Sequence, residues 1–567
     1  MGKSGTGTSG TQAFWTARYP KGIPATIEAS VEQYHSLVEV FDEMVGRFPT
    51  NPAFTCMGKT LTFSELNRKA ESFAAFLQNE LKMKKGDRIA IQMPNVLQYP
   101  VVLFGALKAG LVIVNTNPLY TDREMKHQFN DAGCTAIVIL ANFACNLQKI
   151  VHETKIQHVI VTEIGDLLGF PKSLVVNSVV KHVKKMVPTF SLPDAIPFNS
   201  ALERGAALTC TRVPAELDEV AFLQYTGGTT GVSKGAMLTH RNIIANMEQI
   251  RAWMLPRLVE GEEIAVCALP LYHIFSFTVN ALAIAKYGGH NILITNPRDI
   301  PAFLKELKKY RVTVFTGVNT LYNALMNHPE FSKLDFSSLK VAVAGAMALQ
   351  KAVAERWKSM TNSLIVEGYG LTETSPVASC NPIDGTDRTG TIGLPLPSTL
   401  IKMIDSDGNE VPLGEPGELC IKGPQVMKGY WLRPDETNNV MTADGWFKSG
   451  DVGVMDADGF SRIVDRKKDM ILVSGFNVYP NEIEDVIASH PGVLEVAAIG
   501  IPDERSGEVV KVFIVKKDPS LTSEQVIEHA RKNLTAYKVP KAVEFRNELP
   551  KTNVGKILRR SLRETQA

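Results

Sequence analysis

Short apolar runs alternate with helix-period stretches along most of the chain. From Ser36 to about Lys82 the pattern predicts helix, with Leu66, Ala70, Phe73 and Leu77 on one face after Thr62. Arg88–Pro94 reads as strand, Val101–Ala109 as helix, and Leu111–Val114 and Ala136–Leu140 as further strands. Val220–Tyr225 is another buried-strand pattern, and Thr239, three residues before Asn242, opens a capped helix. Val341–Gly345 and Leu364–Gly368 each run from a short strand into glycine, where α/β sheets place small-molecule sites. The alternation predicts layered α/β subdomains with parallel-rich sheets.

After Asp465–Asp469 the character changes. Helix Pro480–Ser489, strands Val496–Gly500 and Val509–Val515, a Thr522/Gln525 capping box for a helix through Leu534, and strand Val543–Phe545 compose a small α+β unit. The expected organisation is a tail (1–18), a large domain (19–464), a hinge (465–469) and a small domain (470–567).

Composition narrows this picture. At 567 residues, 44% hydrophobic and 21% charged, the chain reads as globular and multidomain. Lys+Arg 61 against Asp+Glu 59 leaves +2, so no global field calls for nucleic acid. Seven scattered cysteines without a C-x-x-C pair argue against a disulfide framework or a zinc site and for a reducing, cytoplasmic compartment. Met1–Gly10 lacks an apolar h-region; Met1–Thr6 fits a myristoylation pattern, with a polar tail the preferred reading. No apolar run reaches the roughly 18–20 residues of a spanning helix. Leu174–Val187 is amphipathic and basic. On its residues alone, a surface helix packed on its own domain ranks first. A membrane-interface helix, with Lys181, Lys184 and Lys185 against headgroups, ranks second.

The chemistry begins at Tyr225–Ala236, which holds Gly227, Gly228, Gly231 and Gly235 with four hydroxyl residues and Lys234. Backbone N–H groups, hydroxyls and one ammonium suit a polyphosphate, although the spacing fails the Walker A template and a flexible turn stays open. Glu367–Thr374 offers an aromatic ring, the Thr372 hydroxyl and the Glu373 carboxylate for a hard cation. Ser449-Gly-Asp451 places an acid after a tight turn, Arg466 lies at the junction, and Pro550–Lys556 ends in a lysine on a glycine-containing loop. Singly, each has a plain structural alternative: a cap for Glu373, a turn for Asp451, a solvated tail for Lys556, a surface ion pair for Arg466. Their order and spacing together are restrictive.

In these five stretches the chain closely resembles the adenylate-forming superfamily of acyl-CoA synthetases, luciferases and peptide-synthetase adenylation domains. It is most similar to bacterial long-chain fatty acyl-CoA synthetases. The resemblance runs from about Tyr19 to Arg563 and includes Pro270–Phe275 and a fatty-acid signature from Asp444–Asp451 through Val464–Asp469. It implies ATP-dependent activation of a long-chain fatty acid through acyl-AMP, followed by transfer to coenzyme A, with Mg²⁺. Lys556, Glu373, Thr372 and His273 are the implied catalytic residues. Tyr225, Thr226, Gly227, Gly228, Thr229, Thr230, Gly231 and Lys234 would hold phosphates, and Thr226 and Glu373 the metal. Gly345, Ala346, Met347, Glu367, Gly368, Tyr369, Gly370, Leu371, Asp451, Ile463 and Arg466 would bind the nucleotide. Gly475 and Tyr479 would meet coenzyme A once the mobile small domain rotates about Asp465.

Two departures stand out: Gly345-Ala346 where many relatives have Gly-Gly, and Ser449 where Thr is usual. Competing readings are the same chemistry on a medium-chain or aromatic acid, a non-catalytic lipid-binding scaffold, and a P-loop kinase disfavoured by the failed spacing. Peripheral contact with the inner leaflet and a homodimer complete the partner expectations.

Overall fold

The computed structural model describes residues 13–226, 233–503, 505–552 and 555–564. Two parallel-cored sheets account for most of the chain. One has eight strands in the order Gly429–Tyr430, Lys234–Thr239, Val220–Thr226, Val112–Asn115, Arg88–Gln92, Ala136–Leu140, His158–Thr162 and Ile196–Pro197. Its six strands from Val220–Thr226 onward are parallel, and Lys234–Thr239 turns back antiparallel. The other has nine, with Pro52–Cys56, His290–Leu293, Ile264–Cys267, Val314–Gly317, Val341–Ala344 and Ile365–Gly370 parallel and adjacent. Their near-continuous apolar composition follows from burial on both faces.

The stretch expected to be helical from residue 36 to 82 is interrupted. Helices Leu37–Arg47 and Phe63–Asn79 flank a hairpin of Pro52–Cys56 and Lys59–Thr62. Its turn residues Met57 and Gly58 have φ of 49° and 74°, the sign pattern of a type I′ turn, without the Asn-Gly signature that would have revealed it. The predicted one-sided helix starts after it, opened by a Thr62–Glu65 capping box.

Helix His240–Met254 lies between sheets and is buried almost throughout, as is the neighbouring helical segment Phe277–Ile284. Its buried amides satisfy backbone carbonyls of other segments. Asn242 donates to the carbonyls of Pro424 (2.8 Å) and Val426 (2.9 Å), Asn246 to Val377 (2.7 Å), and Gln249 to Pro397 (2.7 Å).

A four-stranded antiparallel sheet follows, Leu400–Ile404, Gly417–Lys422, Phe447–Met455 and Ser461–Arg466. The last sheet uses Ile471–Val473, Phe476–Val478, Val493–Asp503, Gly507–Lys516 and Ala542–Arg546. Buried apolar side chains from Ile471 onward form clusters separate from those before them. The tail then returns, Thr320 donating to the Gly555 carbonyl at 3.2 Å, while Asn323 donates to the Leu494 carbonyl on strand Val493–Asp503 at 3.2 Å.

The basic segment is helical over Lys172–Ser178 and Val179–Val183, and no residue from 169 to 190 is buried. Among the described residues, no helix is long and apolar enough to cross a membrane.

Candidate active site

Strand ends of the nine-stranded sheet, the four-stranded sheet and the returning tail enclose a cavity of about 1500 Å³. Tyr225, Thr226, Lys234, His273, Gly345, Ala346, Met347, Glu367, Gly368, Tyr369, Gly370, Leu371, Thr372, Glu373, Asp451, Ile463, Asp465, Arg466 and Lys556 all line it. Gly227, Gly228, Thr229, Thr230 and Gly231 lie outside the described residues. Gly475 and Tyr479 are not on the cavity. Gly475 is exposed, with φ of +84° and nothing within 4 Å of where a Cβ would stand.

At one end Tyr369 donates its hydroxyl to Asp451 Oδ2 at 2.6 Å, while Arg466 Nε stands 3.4 Å from Oδ1. Burial, reinforced by Asp451, pushes the Tyr369 phenol well above its ordinary range, so it remains a donor. The ring is thus fixed by its hydroxyl. Ser449 retains the usual hydroxyl function: it accepts from the Asp451 N–H (3.1 Å) and donates to the Leu419 carbonyl (2.7 Å). Opposite, a Cβ on Gly345 would stand 3.0 Å from Phe275 Cε1, so this glycine permits close packing. Ala346 has φ of +67°, a left-handed conformation that costs a non-glycine residue roughly 1–3 kcal/mol.

At the other end, Thr226 pairs in register with Lys234. Tyr225 donates to Asp131 Oδ2 (2.6 Å), and Arg433 pairs with Oδ1 (3.0 Å), fixing the end of strand Val220–Thr226. Lys234 forms an ion pair with Glu436 and lies 4.7 Å from the Tyr430 ring centre. Glu373 Oε1 accepts from the Tyr430 hydroxyl at 2.7 Å, and burial raises its carboxyl above the ordinary range. Thr226 and Glu373 supply hard oxygen donors and a single carboxylate. That set fits a divalent ion bound by one carboxylate plus substrate phosphates.

Lys556 enters from the tail. Its loop is closed by Thr552, which accepts from the Lys556 N–H (3.1 Å) and donates its own N–H to the Lys556 carbonyl (2.7 Å). Gly555 has φ of +84°, and a Cβ there would stand 2.7 Å from Thr320 Oγ1. Burial, then the nearby Arg466 cation, pushes the Lys556 ammonium down to about 7. His273 Nδ1 accepts from the Phe275 N–H at 3.3 Å. Burial, with Lys556 beside it, takes its imidazole to about 4, so it is neutral near pH 7. Glu367 is pushed up to about 8 by burial, against a backbone donation from Leu349.

From Gly345 the cavity follows alternate residues Val343 and Val341, one face of a strand, for roughly 13 Å at ~3.3 Å per residue. Ile250, Trp253 and Met254, at i, i+3 and i+4 on the buried helix, supply another wall. Trp253 is 3% exposed, donates Nε1–H to the Asn381 carbonyl (3.0 Å) and meets the Tyr19 ring edge-on at 5.2 Å. Just beyond, Arg257 donates to the Lys340 carbonyl at 3.0 Å. An apolar branch bounded by a held indole suits an alkyl chain.

Sequence reasoning missed Asp131, Tyr430, Glu436 and Arg559. Each acts through a partner distant in sequence, and none sits in a glycine-rich or otherwise marked stretch.

The pattern defining the AMP-binding enzyme family matches residues 41–431, and that of the AMP-binding enzyme C-terminal domain matches 482–556. A long-chain-fatty-acid–CoA ligase of Escherichia coli O6:H1 is 58% identical over 550 residues, covering 97% of this chain and 98% of the relative. The Bacillus subtilis protein of that name is 40% identical over 561 residues, covering 98% of each chain. A feruloyl-CoA synthase of Amycolatopsis is 34% identical over 508 residues, covering 89% of this chain and 94% of the relative. Among solved structures, ATP-bound MatB from Rhodopseudomonas palustris superposes with a TM-score of 0.79 at 28% identity, covering 93% of this chain and 98% of that one. With two family patterns in chain order and relatives matched end to end, the chain belongs to the AMP-binding enzyme family, the adenylate-forming acyl-CoA synthetases.

Proposed function

We propose that this chain is a long-chain-fatty-acid–CoA ligase that converts fatty acid, ATP and coenzyme A to acyl-CoA, AMP and pyrophosphate. The observation that carries the reading is Lys556, delivered by the tail into a cavity shared with Asp451, Arg466 and Glu373 and continuous with an apolar branch. The long-chain relatives favour fatty over aromatic acids.

In the first half-reaction a carboxylate oxygen attacks the α-phosphorus and pyrophosphate leaves. Two anions repel, so catalysis rests on positive charge held where negative charge builds. Lys556 stabilises the carboxylate and α-phosphate oxygens. Arg466 and the Tyr369-oriented Asp451 hold the ribose, with Gly345–Met347 beside the adenine. Thr226, Lys234 and the intervening loop hold the departing phosphates, Lys234 exchanging Glu436 for substrate. Mg²⁺, held at Glu373 and Thr226, would neutralise phosphate charge. In the second half-reaction the thiol of coenzyme A attacks the acyl carbon, loses its proton and expels AMP. The portion from residue 470 onward rotates about Asp465, withdrawing Lys556 and bringing in Gly475 and Tyr479. Such closure and reopening commonly limits turnover. His273, a neutral imidazole lining the cavity, is the gate between the acyl site and the thiol channel.

The exposed segment 170–186 carries Phe170, Leu174, Val175, Val183 and Met186 beside Lys172, Lys181, Lys184 and Lys185. Apolar side chains for insertion and lysines for headgroups fit the surface of an anionic membrane, the source of a sparingly soluble acid.

Four measurements test these assignments. With palmitate, ATP, Mg²⁺ and coenzyme A the product is AMP, and Lys556→Ala abolishes acyl-AMP formation while transfer from supplied palmitoyl-AMP persists. ADP as product, or faster turnover of benzoates, overturns the reading. Because Lys556 is cationic below about 7 and neutral above it, kcat/KM for acyl-AMP formation falls as pH rises through about 7. Bound ATP favours the cation, so the limb in kcat lies at higher pH, and Lys556→Arg lacks it. A flat kcat/KM from about pH 6 to about 9 contradicts the assignment. Trp253→Ala removes the indole that bounds the apolar branch and raises preference for stearate over palmitate roughly tenfold, from two further methylenes at ~0.8 kcal/mol each. An unchanged chain-length profile places the end elsewhere. Finally, Lys181→Glu with Lys184→Glu, and separately Phe170→Ser, weaken co-sedimentation with phosphatidylglycerol vesicles; unaltered binding rules this segment out.

A further inference from the structure

We propose that Arg559 is a positioning residue that holds Lys556 in the cavity by tying the tail to the hinge carboxylate, Asp465. The inference rests on the two-orientation reading above and concerns a residue outside the reacting atoms.

Arg559 follows Lys556 by three residues and opens helix Arg559–Glu564. All three guanidinium nitrogens are engaged. Nη1 stands 3.1 Å from Asp465 Oδ1 and 3.5 Å from Asp469 Oδ2; Nη2 donates to Asn481 Oδ1 (2.6 Å) and Glu484 Oε2 (2.8 Å); Nε donates to Glu484 Oε1 (3.0 Å). The Arg559 side chain is 14% exposed and that of Asp465 1%. Breaking such a pair by removing one partner is strongly destabilising locally, because it leaves an uncompensated buried charge. The fork geometry, bidentate on Glu484 while reaching Asp465, is one that lysine does not reproduce.

The connection to the hinge is on both sides of the peptide. Asp465 Oδ2 also accepts from the Asn481 N–H (2.8 Å), and the Asn481 amide donates back to the Val464 carbonyl (3.4 Å). The next residue, Arg466, turns the other way toward Asp451 in the cavity. Consecutive side chains therefore link the tail and the ribose-binding acid through two adjacent residues, Asp465 and Arg466. Rotation about Asp465 changes their relative direction, so the tail anchor and the hinge conformation are set together. Elsewhere the Lys556 loop is docked by Lys551, whose ammonium pairs with Glu495 Oε1 at 2.5 Å, and by Thr320 donating to the Gly555 carbonyl at 3.2 Å; neither contact reaches the hinge.

A merely structural Arg559 would support both half-reactions, because the same unit carries Gly475 and Tyr479. A positioning Arg559 supports the half that needs Lys556. The test measures pyrophosphate–ATP exchange with palmitate, and thioester formation from supplied palmitoyl-AMP, for the full-length enzyme, Arg559→Ala and Arg559→Lys, with Lys556→Ala as reference. The expected result is exchange lowered at least about tenfold in both Arg559 variants, with thioester formation within about twofold of the parent. Arg559→Lys keeps the buried charge and carries the comparison if Arg559→Ala does not fold, with circular dichroism confirming the parent fold. Equal losses in both halves, or no loss in exchange, overturn the proposal. Full exchange in Lys556→Ala would overturn the functional reading instead, a result distinct from any Arg559 outcome.

Discussion

A helix buried on nearly every side cannot leave its amide side chains unpaired, and His240–Met254 carries Asn242, Asn246 and Gln249 into the interior. Each finds a backbone carbonyl in a different segment: Pro424 and Val426 in one loop, Pro397 in another, and Val377 at the start of strand Val377–Cys380. Those segments lead into the strand that carries Tyr430, follow Glu373 and precede the four-stranded sheet. One hydrogen-bonding requirement thereby sets how the sheets meet, and the cavity is the space left between them. The same helix contributes Trp253 to the apolar branch, so the polar and apolar ends of the site share a single rigid support.

Within that frame the charges are held in partial readiness. Lys556 is buried enough to be depressed to about 7, Glu373 is raised, and Lys234 is neutralised by Glu436. A polyanion favours the Lys556 ammonium and competes with Glu436 for Lys234, whereas the Glu373 carboxylate is favoured only by a cation arriving with it. The Tyr369–Asp451–Arg466 chain behaves differently. It is already hydrogen-bonded and costs little reorganisation when a diol arrives.

The chain's periodicity made the parallel sheets, the capped helices at Thr62, Thr239 and Thr522, and the small C-terminal sheet legible, because buried strands and capping boxes leave local signals. It concealed the Met57-Gly58 turn, whose left-handed methionine breaks the usual composition rule. The candidate site was legible only where chemistry is written in contiguous motifs. Gly345–Met347, Glu367–Glu373, Asp451, Arg466 and Lys556 fall in such motifs and meet around one cavity. Tyr430, Asp131 and Arg559 do not, since their roles depend on partners 57, 94 and 94 residues away, at Glu373, Tyr225 and Asp465. Arg559 in particular reads as one more cation in a basic tail until its burial is seen.

Ala346 gives its side of the cavity a distinct character. A glycine at φ +67° would be unstrained and, when unfolded, would sample many more backbone states. Alanine accepts torsional strain in the native loop in return for a narrower ensemble. The loop reaches its bent shape before any ligand is present, so the cost of shaping it falls on folding rather than on recognition. A strained methyl at this position is a form of preorganisation, recorded in one dihedral angle.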